Sequence, residues 1–158
     1  MTRVRVVGVG NPDAGDDAVG LLAVRAARPE LERLAGVEVV ETGAGLHVVD
    51  LLDDVDAVVV VDAVRAPRGG RAPGTIVRAE AGPQGLPAEV GSSLSSHGFG
   101  VAEAVGLAAA LHDAPRVVFL GVEIADVTAG HDLSGSVAVA LPELVARVVG
   151  EARLLSAH

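Results

Sequence analysis

The chain has 158 residues, half of them hydrophobic, and a formal net charge of −9. That length fits one domain with a sizeable core, and the acidic balance disfavours nucleic-acid and anionic-membrane surfaces. The absence of Cys removes disulfides, zinc–thiolate sites and a thiol nucleophile together, and Phe99 and Phe119 are the only aromatic residues, so the core is aliphatic and stacking platforms for single-stranded nucleic acid are lacking.

The apolar run ending at Val9 predicts a first strand over Arg3 to Val9. Val19, Leu22, Ala23 and Ala26 then recur at helical spacing from Asp16 to about Arg28. Pro29 is expected to interrupt this helix, with a resumption to Leu34 and a stop at Gly36. A second strand follows over Val37 to Thr42, and a short helix over Leu46 to Leu52. Ala57 to Val64 is a continuous apolar run broken only by Asp62, the mark of a strand buried on both faces. Arg65 to Gly74 reads as a loop, Thr75 to Glu80 as a short strand, and Ala81 to Ser96 as irregular. A glycine-bearing helix is expected from His97 to Leu111, a last strand from Arg116 to Ile124, and a closing helix from Leu141 to Leu155 with Pro142 in its first turn.

Strands alternating with helices over residues 1–158 imply a single three-layer α/β/α domain. Its mostly parallel twisted sheet has about five strands, with helices on both faces. In such a sheet the ligand crevice lies beyond the carboxyl ends of the strands, where the strand order reverses. If the order begins 2-1-3, that crevice falls between strands one and three. No apolar run approaches the length of a membrane span. The amino terminus runs straight into the first strand without a signal peptide, so the expected location is the cytoplasm.

Residues 8–20, Gly-Val-Gly-Asn-Pro-Asp-Ala-Gly-Asp-Asp-Ala-Val-Gly, form the turn from the first strand into the first helix. Glycine-rich turns of this kind often cradle phosphate. The dinucleotide spacing, however, puts Asp13 where a third glycine belongs. The P-loop spacing is met by Gly10 and Gly15 but followed by Asp16 and Asp17 instead of Lys and Ser or Thr. Two anions in place of a cation would repel a polyphosphate. They suit a metal cation, whose carboxylate ligands the helix dipole keeps ionised; they also suit plain helix capping. Asp62 is the second anomaly. A lone carboxylate in a buried valine run is costly unless paired or metal-bound, and the alternative is that the strand has already ended in a turn. His97 is the third, opening a helix after a serine-rich loop. Two carboxylates and an imidazole make an incomplete ligand set for zinc, nickel or iron.

Together these segments carry a resemblance. Gly8-Val-Gly-Asn-Pro through Gly15-Asp-Asp-Ala-Val-Gly20, then Val-Val-Asp62-Ala, then Ser-Ser-His97-Gly, resemble the hydrogenase maturation endopeptidases, and Gly121-Val122-Glu123 with Gly130-His-Asp-Leu133-Ser134 is similar to that family's closing motif. The match runs in order through nearly the whole chain. Ala18 and Ile124 depart from it, standing where Gly and Pro are common. The resemblance implies an endopeptidase that removes the C-terminal extension of a nickel-iron hydrogenase large-subunit precursor after nickel insertion. It places metal contacts, and with them the catalytic positions, at Asp17, Asp62 and His97. By the same resemblance the nickel is expected to be the one held by the precursor, with one of the carboxylates as the candidate to activate water. Asp16 is a second candidate for a functional carboxylate, or a helix cap. The rival readings are a metal-recognising assembly checkpoint that cuts nothing, and a peptidase of the same fold acting on another protein.

Overall fold

The structure is a computed structural model describing residues 1–43, 48–66, 70–91, 100–110, 114–125, 130 and 132–157. Its sheet comprises β1 (Val4–Val9), β2 (Val37–Thr42), β3 (Ala57–Val64), β4 (Ile76–Glu80) and β5 (Arg116–Glu123) in the order β2-β1-β3-β5-β4. The β1–β2, β1–β3 and β3–β5 pairs are parallel. Among the described residues only the edge strand β4 runs antiparallel, against β5, so the sheet is mixed but mostly parallel. The chain builds outward from β1 to β2, then returns to place β3 on the other side of β1. That reversal puts the switch point between β1 and β3, as the 2-1-3 order requires.

The helices are α1 (Val19–Leu31), α2 (Val48–Leu51), α3 (Ala88–Gly91), α4 (Val101–Ala110) and α5 (Gly135–Ser156). Strand alternation divides the valines between two cores. Val4, Val6, Val59, Val61, Val118 and Leu120 pack with α1 and α5, while Val7, Val9, Val58, Val60 and Phe119 pack with α2 and α4 on the other face. Every residue of β3 is buried, the expected state of a central parallel strand covered on both sides.

Two prolines behave differently from the sequence expectation. Pro29 does not interrupt α1, and Pro142 lies well inside α5, which begins at Gly135 and not at Leu141. A proline removes the N–H that would bond the carbonyl four residues back. Those carbonyls belong to Arg25 and Ala138, which are exposed, as are both prolines, so water satisfies the freed groups and the helices continue. The start of α5 was hidden because Gly135, Ser136, Val137 and Val139 are weak helix formers. Val137, Leu144 and Val148, buried at helical spacing against the sheet, supply the stabilisation that local propensity lacks. Residues 88–91, read as irregular, form the single turn α3.

Candidate functional site

The switch point is built by close packing of backbone. Gly20, in the first turn of α1, sits against both parting strands: a Cβ there would lie 2.4 Å from the carbonyl oxygens of Val9 and Val61. Between β1 and α1 the chain makes one turn of 3-10 helix, Gly15–Ala18, carrying Asp16 and Asp17. At Gly10 a Cβ would lie 2.2 Å from the Asp17 carbonyl oxygen, so the glycine-rich turn wraps tightly around the backbone that presents Asp17.

Asp17 is partly exposed and accepts the Asn11 N–H at Oδ2 (3.1 Å). Asp62 is 7% exposed. The β1–β3 ladder ends at Gly8 and Val61, so Asp62 is the first residue of β3 beyond its pairing with β1. By alternation with Val58, Val60 and Val64 it points to the α2 and α4 face. Its Oδ1 accepts the Ala63 N–H (2.8 Å). Burial pushes the Asp62 pKa well above the ordinary value, the Ala63 N–H partly offsets this, and the negative charge of Asp17 adds to the upward shift. The two carboxylates are thus brought together at the carboxyl edge of the sheet, close enough to repel. His97 lies outside the described residues, as do the other four histidines. The described chain resumes at Gly100, which leads into α4 on the face toward which Asp62 points. Among the described residues no group of three or more His, Cys, Asp or Glu side chains could hold a metal ion.

Asp16 has a different environment from its neighbour. It is fully buried and accepts the Ala125 N–H (2.9 Å), the Ser134 N–H (2.6 Å) and the Ser134 hydroxyl (2.8 Å). None of these donors belongs to the helix that Asp16 opens; all three come from the connection between β5 and α5.

Glu123 belongs to the same edge, although composition and spacing did not single it out. It is buried, and its two carboxylate oxygens each accept the Ala66 N–H at 2.9 Å. The Arg71 Nε stands 3.3 Å from Oε1. Glu123 clamps the β3–β4 connection across the end of the sheet. The signal that marks Asp62, a carboxylate ending an apolar run, is present in Val117 to Glu123 as well. Two cavities lie elsewhere. One, about 520 Å³, is lined by Arg78, Arg147 and Leu154 beside α5; the other, about 270 Å³, lies near Pro83 and Pro115.

A doubly wound, mostly parallel sheet with two carboxylates, Asp17 and Asp62, at its switch point defines the protein as α/β in class. The chain belongs to the hydrogenase maturation protease family, whose profile (HycI: Hydrogenase maturation protease) matches residues 19–151. The matched stretch includes Asp62 and His97 and begins two residues after Asp17. Membership makes the protein an endopeptidase, a hydrolase of peptide bonds. The fold is shared with solved structures. The hydrogenase maturating endopeptidase HybD from E. coli is 23% identical over 96% of this chain and 93% of its own, with a TM-score of 0.76. The [NiFe] hydrogenase maturation protease HybD from Thermococcus kodakarensis is 22% identical over 96% and 99%, with a TM-score of 0.71. A hydrogenase 2 maturation peptidase from a Thaumarchaeota archaeon is 23% identical over 95% and 97%, with a TM-score of 0.66. No curated protein matches the sequence. Among the described residues no helix is long and apolar enough to cross a membrane.

Proposed function

We propose that this protein removes the C-terminal extension of a nickel-iron hydrogenase large-subunit precursor once nickel has been inserted, and that Asp17, Asp62 and His97 meet the metal carried by that precursor. The observation that carries the reading is the pairing of Asp17 with a buried Asp62 at the switch point, where a negative charge is expensive and nothing cationic is described beside it. A metal ion delivered by the substrate would offset both burial and repulsion. The nickel is substrate cargo, recognised only in the loaded precursor; that difference between two states of the partner makes the site a checkpoint on metal insertion. The family and the hydrogenase maturation role of its structural relatives support this choice of partner.

Cleavage then follows ordinary hydrolysis. A water oxygen attacks the carbonyl carbon of the scissile bond while one of the two carboxylates takes the water's proton; as the carbon–nitrogen bond breaks, that carboxyl passes the proton to the departing nitrogen, which leaves as an amine, and the carboxylate is restored. Residues 1–158 act as one domain in the cytoplasm, where the precursor is assembled. The test is incubation of metal-stripped protein with matched nickel-loaded and nickel-free precursors, followed by intact mass. Loss of a C-terminal peptide from the loaded form alone is the expected result. Equal cleavage of both forms sinks the metal checkpoint. Saturable binding without any mass change marks a non-cutting checkpoint protein, and cleavage only of an unrelated protein marks a peptidase with another substrate.

A further inference from the structure

Asp16 and Asp17 are neighbours with opposite environments, and the proposed reaction uses only the second. The Asp16 carboxylate has no exposed surface and is occupied by donors from a distant part of the chain. Ala125 immediately follows the strand turn at the end of β5, and Ser134 is the cap residue of α5. Ser134 makes no side-chain capping bond to its own helix; its hydroxyl donates to Asp16 instead. The carboxylate therefore serves as the acceptor at the N-terminal cap residue of a 22-residue helix. With its oxygens taken and no water access, it is unsuited to hold a metal or to accept a proton from water.

These contacts join two connections, β1–α1 and β5–α5, across the carboxyl edge of the sheet. A second link runs parallel to the first: the Gly130 N–H donates to the Asp13 carbonyl (2.6 Å). On the other side of the peptide bond from Asp16, Asp17 is held by the Asn11 N–H at its side chain and by its own N–H to the Ala14 carbonyl (3.0 Å). The turn has no side-chain cap at Ala14. Its orientation relative to the sheet thus depends on the buried anchor next door.

We propose that Asp16 is a positioning residue, whose buried carboxylate locks the β5–α5 connection onto the 3-10 turn and so fixes how Asp17 meets the precursor. This rests on the reading of Asp17 given under the proposed function. Asp16→Asn keeps the size of the side chain but sets an amide donor against a backbone donor whichever way it turns. Ser134→Ala removes the hydroxyl bond alone and leaves both backbone donors in place.

The experiment measures hydrogen exchange of the Asn11 amide in the isolated protein, and kcat/KM on nickel-loaded precursor, at a temperature where every variant is fully folded. In Asp16→Asn the Asn11 amide is expected to exchange faster, and kcat/KM to fall about tenfold to a hundredfold, the usual consequence of a reacting group displaced by a fraction of an ångström. Ser134→Ala is expected to change both in the same direction, with a loss of about threefold, the size of a single hydrogen bond; it carries the test if Asp16→Asn does not fold. A merely structural Asp16 would lower the unfolding temperature while leaving the Asn11 amide and the folded enzyme's kcat/KM as in the wild type, and that result overturns the proposal. Asp17→Asn, run alongside, separates the two claims. Wild-type processing by Asp17→Asn refutes the reading of the site, whereas an unchanged Asn11 amide in Asp16→Asn refutes the positioning role whatever the substrate.

Discussion

Gly20→Ala adds one carbon at the point where β1 and β3 part. The new Cβ would meet the Val9 and Val61 carbonyl oxygens at 2.4 Å each, while real Cβ atoms essentially never approach closer than 3.0 Å. Both obstacles are backbone atoms of central strands, so no side-chain rotation relieves them. The first turn of α1 must therefore lift from the sheet by about 0.6 Å or more, an overpacking that costs about 3 kcal/mol, the upper part of the usual range. For a chain of this length that corresponds to a fall in Tm of about 6–12 °C. The lift also moves the turn bearing Asp17 relative to Asp62, so processing should drop by about tenfold even where the variant is folded. The assay is thermal unfolding by circular dichroism, paired with cleavage of loaded precursor well below the transition. Gly150→Ala is the matched control. Its Cβ meets nothing within 4 Å, so replacing a mid-helix glycine there should stabilise by about 1 kcal/mol. A Gly20→Ala protein with unchanged or raised Tm would refute the close-packing account of the switch point.

Asp62→Asn should abolish processing and yet raise stability at neutral pH. Because burial raises the folded-state pKa of Asp62 above the unfolded value, folding favours the protonated form. The cost of the charge is absent below the ordinary carboxyl value of 3.8, grows as pH rises through the window up to the folded pKa, and is constant above it. The stability gap between variant and wild type, measured by urea unfolding across pH, should widen upward through that window; a gap that narrows would contradict the assignment. Glu123→Gln should cost about 2 kcal/mol, because it weakens the Ala66 contact and takes the counter-charge from a mostly buried Arg71; an unaltered urea midpoint would mean that the clamp contributes nothing. Pro142→Ala restores an N–H to the exposed Ala138 carbonyl in α5 and should stabilise by about 1–3 kcal/mol. No rise in Tm there would mean that water already satisfies the carbonyl without cost.

Much of the sheet was readable because its signal is local. Val37 to Thr42 and Ala57 to Val64 are strands with the expected bounds; the first is a short β-branched segment closed off by Gly36 and Gly43, and the second is buried on both faces, which leaves no other periodicity to compete. Helix ends were read less well for a reason that is equally physical. Pro29 and Pro142 break helices only when the carbonyl they orphan is buried, and exposure is a property of the packed molecule, not of the proline. The antiparallel direction of β4 is likewise invisible in Thr75 to Glu80, because short edge strands carry the same pattern whichever way they run.

Adjacent carboxylates show where local reading stops. Asp16 and Asp17 share a turn, a helix end and a side-chain chemistry, so spacing and propensity assign them the same two options. What separates them lies 109 and 118 residues away, in the Ala125 and Ser134 donors that close around Asp16 and leave Asp17 partly open. Asp62 needed no such information, because a carboxylate directly after four consecutive valines and before Ala63 and Val64 declares its cost within the strand itself. The contrast gives a rule for the edge as a whole. A buried carboxylate filled by backbone donors, as Asp16 and Glu123 are, spends its charge on holding connections in place. At Asp62 burial and the charge of Asp17 both oppose ionisation instead, so the carboxylate at the switch point is held there at a cost that Asp16 and Glu123 do not show.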